Sequence, residues 1–317
     1  MSHAAPATDT ARQPRFTVFI PTYNRADLIR RALASIEEQT CRNLEVVIVD
    51  DGSADTTADV VAEWRASTTL PVEYIRQDNA GKHAAHNNGV RHARGELFVV
   101  LDSDDILVPN ALERLEAHWC AIPGAERAGF CGVEGLTAFF DGAVSGTPFP
   151  EDVVDSDYIT LRSSHRIRGD KKGAIRSDVL LDHPYPAYHG ERHMRPSWLW
   201  KELARDYRTR YVNDVIQQIE YQPGGLSADR FRLRMANPRG YRRYYLDEVN
   251  RHRLARGWRE RRNACGAFIR YSLHAGIDPI TQWREIAQRG PWVAAIPQGF
   301  AKFLADLVRM RLRGGGR

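Results

Sequence analysis

Short apolar runs alternate with amphipathic segments through the first 120 residues. Phe16–Ile20 is apolar and rich in strand-forming residues; a polar loop, Pro21-Thr22-Tyr23, follows; the next segment places Leu28, Ile29, Ala32, Leu33 and Ile36 on one helical face. The pattern predicts strand, loop and helix, with Asn24 as the helix N-cap and Asp27 reaching back to its amide. The unit then repeats. Leu44–Val49 predicts a strand and Thr57–Ala66 a helix; Val72–Arg76 a strand and Lys82–Arg94 a helix; Leu97–Leu101 a strand, after which Pro109 opens a helix through Trp119. Such alternation implies an α/β fold with a mainly parallel sheet, flanked by helices and joined by right-handed crossovers. Ligands of such sheets collect at the carboxyl ends of the strands.

The pattern loosens after the fourth unit. Residues 128–190 carry Gly and Pro throughout and predict a mixed continuation of the sheet with long loops. A helix is expected from Arg195 to about Arg208, then a bent strand over 211–221 stopped by Pro223-Gly224-Gly225. Beyond Ser227 the chain turns Arg-rich and helical, over about 230–255, 257–275 and 278–290. The last stretch, Pro291–Arg313, is amphipathic, with Trp292, Ile296, Phe300, Phe303, Leu304, Leu307 and Met310. This divides the chain into a leader (1–15), a catalytic-type α/β domain (16–227, with halves 16–120 and 121–227) and a basic helical region (228–317).

Composition changes this picture in three places. No apolar stretch reaches the ~18 residues of a transmembrane helix, and Met1–Pro14 has no apolar signal core, so a cytoplasmic protein with a disordered leader is expected. The four cysteines, Cys41, Cys120, Cys131 and Cys265, have no metal-ligand spacing and read as reduced thiols. The net charge of +5 is uneven: residues 228–317 hold 20 Lys and Arg against 7 Asp and Glu, a balance of +13 against −8 for residues 1–227. An acidic front suits a bound cation; a basic back suits phosphate, anionic lipid, nucleic acid or plain solvation.

Three polar clusters fall at the predicted strand ends: Pro21-Thr22-Tyr23-Asn24, Asp50-Asp51-Gly52-Ser53 and Asp102-Ser103-Asp104-Asp105. Alternate residues of an extended chain point the same way, so Asp102 and Asp104 can address one ligand. Carboxylates at a strand end suit Mg²⁺ or Mn²⁺ held jointly with phosphate oxygens. An isolated D-x-D would more often be a solvated acidic turn; four preceding βα units favour the metal reading. Asp50 and Asp51 can accept from a base or ribose, and Gly52 allows close backbone approach, although the same residues also make a tight turn. Tyr23 offers a flat face for a nucleobase.

In order and spacing, Ile20-Pro21-Thr22-Tyr23-Asn24-Arg25, Val49-Asp50-Asp51-Gly52-Ser53 with Asp55, Asn79-Ala80-Gly81, Asn87-Asn88-Gly89 and Leu101-Asp102-Ser103-Asp104-Asp105 resemble the family-2 glycosyltransferases of GT-A fold. The resemblance is close over about 16–120 and looser to about 227. It implies inverting transfer from a nucleotide-sugar donor, UDP-sugar favoured, to a saccharide, lipid-linked or small-molecule acceptor, with a divalent cation, Mn²⁺ or Mg²⁺. Carried over, Pro21, Tyr23 and Asp51 frame the nucleobase, with Asn24, Gly52, Ser53 and Ser103 beside the donor. Asp102 lies by the ribose or metal, Asp104 on metal and diphosphate, and Lys82 where a cation can meet phosphate. His86 stands where many members carry Arg. His189-Gly190-Glu191-Arg192 resembles the family's acidic Glu-Asp motif, which makes Glu191 the candidate base, with Asp182 as the alternative; His189 and His193 are weaker candidates for extra metal ligands. Asp170-Lys171-Lys172 and residues 221–227 resemble acceptor-side and lid-like segments.

Two other readings compete. A sugar-nucleotide nucleotidyltransferase would open with a Gly-rich phosphate loop where this chain has Pro21-Thr22-Tyr23. A nucleic-acid-binding tail would need a finger, helix-turn-helix or RNP signature that residues 228–317 lack. Peripheral membrane contact through Trp292–Leu312 is the remaining expectation for the tail.

Overall fold

The computed structural model describes residues 13–220, 229–251 and 257–314. Residues 1–12 of the expected leader and the 221–227 segment, with its Pro-Gly-Gly stop, therefore lie outside the described residues, while Arg15, at the leader's end, pairs with Glu96 and Glu116. Among the described residues nine strands form one sheet: β1 Phe16–Thr22, β2 Leu44–Asp50, β3 Val72–Arg76, β4 Leu97–Val100, β5 Ile106–Leu107, β6 Phe130–Phe139, β7 Val153–Ser156, β8 Lys171–Arg176 and β9 Arg208–Ile219. The helices are α1 Ala26–Glu37, α2 Thr57–Ser67, α3 Lys82–His92, α4 Ala111–Cys120, α5 Tyr158–Ser163, α6 Ser177–Asp182, α7 Ser197–Leu203, α8 Arg230–Ala236, α9 Pro238–Asn250, α10 Trp258–His274, α11 Pro279–Glu285 and α12 Arg289–Gly314.

The sheet order is β3-β2-β1-β4-β8-β6-β9-β5, with β7 on β9. β3, β2, β1 and β4 are mutually parallel, as the apolar runs predict, and β1 and β2 are buried along their whole length. Beyond β4 the sheet is mixed: β8 is antiparallel to both β4 and β6, and β9 is parallel to β6. Unbroken parallel pairing thus holds for four strands and is interrupted by β8, β5 and β7, while β6 and β9 run in the direction of β1 again, so the sheet is mainly parallel as expected. One core lies between the sheet and α1, α2 and α4, and a second on the opposite face, where Phe19, Phe98, Val47 and Val49 meet α3, α7 and Tyr244 of α9.

Several boundaries move. The helix expected over 195–208 is α7 alone, and the one expected over 230–255 is broken at Asn237 into α8 and α9. Asn24 is not the cap of α1: it adopts a left-handed φ of 51°, and its Oδ1 accepts instead from the Ala54 amide at 2.8 Å. The α1 end is satisfied from across the loop, where Asp55 accepts from the Ala26 amide at 3.2 Å and Thr57 from the Arg25 amide at 3.1 Å. The four cysteines are free, and among the described residues no helix is long and apolar enough to cross a membrane.

Candidate active site

Parallel pairing in register brings the polar clusters to one edge. Thr22 at the end of β1 pairs with Asp50 at the end of β2, and the Asp51 amide donates to the Thr22 carbonyl at 2.9 Å. β4 ends alongside, with the Leu101 amide on the Phe19 carbonyl at 2.9 Å. From the far half of the sheet, buried Gln217 donates to the Val100 carbonyl at 2.8 Å and fixes where Asp102 begins. Tyr23 stands exposed beside these ends.

The two acidic pairs are engaged differently. Asp50 is buried and accepts from the Ser53 amide (2.7 Å) and the Tyr74 hydroxyl (2.7 Å). Asp51 accepts from the Gln77 side chain and from the Ala80 and Gly81 amides, each at 2.8 Å, so it shapes the loop that enters α3. Gly52 sits at φ +82°, and a Cβ there would meet the Asn79 amide at 3.1 Å, so glycine lets the two loops close on each other. Ser53 accepts from the Asn24 amide at 2.9 Å, which ties the first cluster to the second.

Both oxygens of Asp102 carry a cation: Lys82 at 2.5 Å on one and Lys172 at 2.9 Å on the other. Burial opposes its ionisation, but the two ammonium groups outweigh burial and hold the carboxyl well below the usual range. Lys172 lies 3.8 Å from Asp105 as well, and although desolvation opposes its charge, the two carboxylates raise its pKa. Asp105, buried and crowded by Asp102 and Asp104, is pushed up to about 7 despite Lys172. Ser103 is buried between them. Asp104 is half-buried, and its carboxylate has no protein partner among the described residues; its carbonyl accepts from Arg31, which also pairs with Glu220 at 3.0 Å.

Glu191 reaches this edge through Gly81. Gly81 has φ +91° and packs so tightly on the Arg192 carbonyl that a Cβ would come within 1.9 Å of it. The Glu191 side chain is buried, and its oxygens accept from the Arg239 amide at 2.7 Å and the Gly240 amide at 2.8 Å, capping the first turn of α9. Burial raises its pKa against those two hydrogen bonds. Asp182 is exposed at the end of α6. His83 and His193 are held neutral by burial, each at about 4, and His86, enclosed by the rings of Phe19, Phe98 and Tyr185, at about 3.

The residues present fit a divalent cation shared with a diphosphate. Among the described residues no three Asp, Glu, His or Cys side chains gather into a metal cage, His189 and His193 included. One unpartnered carboxylate at a strand end is the protein share that such cations take when phosphate oxygens and water complete the shell. Asp104 meets that description. Asp102 reaches a cation only if Lys82 leaves it. Lys172 is the site residue that sequence reading placed only in a loosely similar segment; it meets Asp102 from a strand 70 positions away, and no spacing rule reports that.

Residues 17–125 match the sequence profile of glycosyl transferase family 2. The match takes in about a third of the chain. Putative glycosyltransferase EpsH of Bacillus subtilis is 37% identical over 102 residues, 32% of this chain and 29% of that protein. The chain thus spans under a third of the length of this and other curated relatives that match the same segment. The uncharacterised glycosyltransferase YibD of Escherichia coli is 25% identical over 258 residues, 75% of this chain and 72% of that one. Among solved structures, S. aureus TarS 1–349 in complex with UDP-GlcNAc superposes with a TM-score of 0.60 at 18% identity, covering 95% of this chain and 92% of that one. The mannosyltransferase PcManGT of Pyrobaculum calidifontis, in complex with GDP-Man and Mn²⁺, gives 0.53 at 22% identity, covering 94% and 87%. The fold of the chain is therefore GT-A.

Proposed function

We propose that this chain is an inverting family 2 glycosyltransferase that moves a sugar from a nucleoside diphosphate donor, UDP-sugar first, to an acceptor hydroxyl with a divalent cation. The observation that carries the reading is one sheet edge holding an unpartnered Asp104 carboxylate beside two lysines and the Thr22–Asp50 register. Pro21, exposed Tyr23 and the Asp51-Gly52-Ser53 turn frame the nucleobase, with Asn24 holding that turn through Ser53 and Ala54. Lys82, at the exposed start of α3, and Lys172 supply positive charge where the diphosphate lies. Asp104, with Asp102 once Lys82 turns to phosphate, holds the cation. When bound, the cation neutralises charge on the diphosphate.

The acceptor oxygen attacks the anomeric carbon, the bond from that carbon to the diphosphate oxygen breaks, and the acceptor proton passes to Glu191, whose raised pKa suits a base. The donor class draws support from the ligands of TarS and PcManGT, and Mn²⁺ from PcManGT. Against the nucleotidyltransferase reading stands the first loop, which buries Thr22 and lacks glycine. Against nucleic acid stands the pairing of Arg242, Arg243, Arg251 and Arg270 with carboxylates inside the fold.

A panel of UDP- and GDP-sugars with and without Mn²⁺ is expected to give cation-dependent thermal protection for one donor, about 2.7 kcal/mol at a hundredfold excess over Kd. Asp104→Ala should lose the cation-dependent part. Equal protection in that variant, or none in the wild type, sinks the proposal.

A further inference from the structure

Helix α12 buries one face on α10. Trp292 and Ala295 join Phe268 and Ile269 in a small core, Gly299 packs directly on Ile269, and Asp306 is buried between Arg270 (2.5 Å) and His274 (2.9 Å). On the outward side Val293, Ile296, Phe300, Leu304, Val308 and Leu312 stand exposed, from 40% for Ile296 to 78% for Leu312. A spacing of three and then four residues keeps them on one side of the helix, in a stripe about 28 Å long. No described residue covers it.

The charge along α12 has one sign. α12 carries Arg289, Lys302, Arg309, Arg311 and Arg313 against a single carboxylate, Asp306, which is spent internally. At about 100° per residue Arg289 and Arg311 fall on the side of the stripe, and both are exposed; Lys302 falls on the far side, and Arg309 and Arg313 lie over Phe231 of α8. A second copy of the helix laid on this face would bring like charges together, whereas an anionic surface would meet them. At the amino end of α12 two partly exposed indoles flank the stripe: Trp283, its ring 5.6 Å from that of Trp292, and Trp258 beside Gly290. An apolar ring with a polar edge suits a boundary between water and lipid.

We infer that the outer face of α12 docks on an anionic bilayer surface, its apolar stripe in the acyl boundary and Arg289 and Arg311 reaching the phosphate headgroups. The carboxyl end of the helix is tied to Asp229 through Arg313 at 3.1 Å, and Asp229 follows by nine residues Glu220, the partner of Arg31 at the donor edge. Nine residues reach at most about 30 Å. Resting on the transfer reading, that distance favours an acceptor carried by the membrane.

The full chain, free of donor and cation, is floated with vesicles of phosphatidylcholine alone and of phosphatidylcholine mixed with phosphatidylglycerol. It should float with the mixed vesicles, poorly with the neutral ones, and less as salt rises. Phe300→Glu with Leu304→Glu should weaken that binding at least about tenfold with an unchanged unfolding midpoint. Arg289→Gln with Arg311→Gln should abolish the preference for phosphatidylglycerol. The inference falls if the wild type ignores the mixed vesicles or if the double glutamate variant floats like the wild type. It also falls if sedimentation shows a dimer that this variant splits while no vesicle binds, which would make a second copy the occupant. Because no donor is present, a failure here leaves the transfer proposal standing, and a failure of donor binding leaves this one standing.

Discussion

Asp102 and Asp104 sit two positions apart and their carboxylates have opposite surroundings: one holds two lysines, the other meets no described protein group. The D-x-D spacing was legible in the sequence because both lie in one short segment. That Asp102 is compensated was not, because Lys172 arrives from β8. His86 shows the same limit. The sequence marks it only as a departure from Arg, while the structure encloses it among three aromatic rings and depresses its pKa to about 3. A depressed histidine contributes stability that is complete above its unfolded pKa of about 6.5 and is lost as pH falls toward the folded value. His83 and His193, at about 4, act in the same direction. His86→Phe is expected to narrow the difference in denaturant midpoint between about pH 7 and about pH 5. An unchanged difference would show that His86 is not a source of the acid sensitivity.

At the scale of elements, helix ends were the least legible feature. α1 starts one residue after a backbone that carries no cap of its own, and its first amides are met by Thr57 and Asp55 across a loop. α9 starts on a proline and is capped by Glu191, 48 positions from Arg239. Local capping rules read a few neighbouring residues, so caps delivered by another loop escape them. The same side chain is thus helix cap and proposed base, and two variants separate the roles. Glu191→Ala should cost about 1–2 kcal/mol of stability through the lost cap. Glu191→Gln should change stability less yet lower kcat by about two to four orders of magnitude. Near wild-type turnover in a folded Gln variant would leave Glu191 as a cap alone.

For the whole molecule, the basic region is joined to the sheet through α9. Trp198 of α7 donates to Asp247 at 2.6 Å, Lys201 pairs with Glu248 at 2.6 Å and also contacts the Tyr244 hydroxyl, and Tyr244 belongs to the core that holds Phe19 and Phe98. Breaking one such buried pair costs about 3–5 kcal/mol, comparable with the stability of a whole domain. A chain ended at Ser227 is therefore expected to lose cooperative thermal unfolding and to bind a hydrophobic dye. A sharp unfolding transition in that fragment would show that residues 16–227 stand alone.

The sequence by itself determined the four parallel βα units, the edge to which Thr22, Asp50 and Asp102 are brought, and the amphipathic character of α12. Each of these is written in local periodicity and in polar residues that follow an apolar run, and neighbouring residues suffice to express them. Only the tertiary structure decided the strand order beyond β4, the clasp of Lys82 and Lys172 on Asp102, the capping of α9 by Glu191 and which face of α12 stays bare. These depend on pairings between segments tens of residues apart, set by packing and charge compensation after the local elements meet.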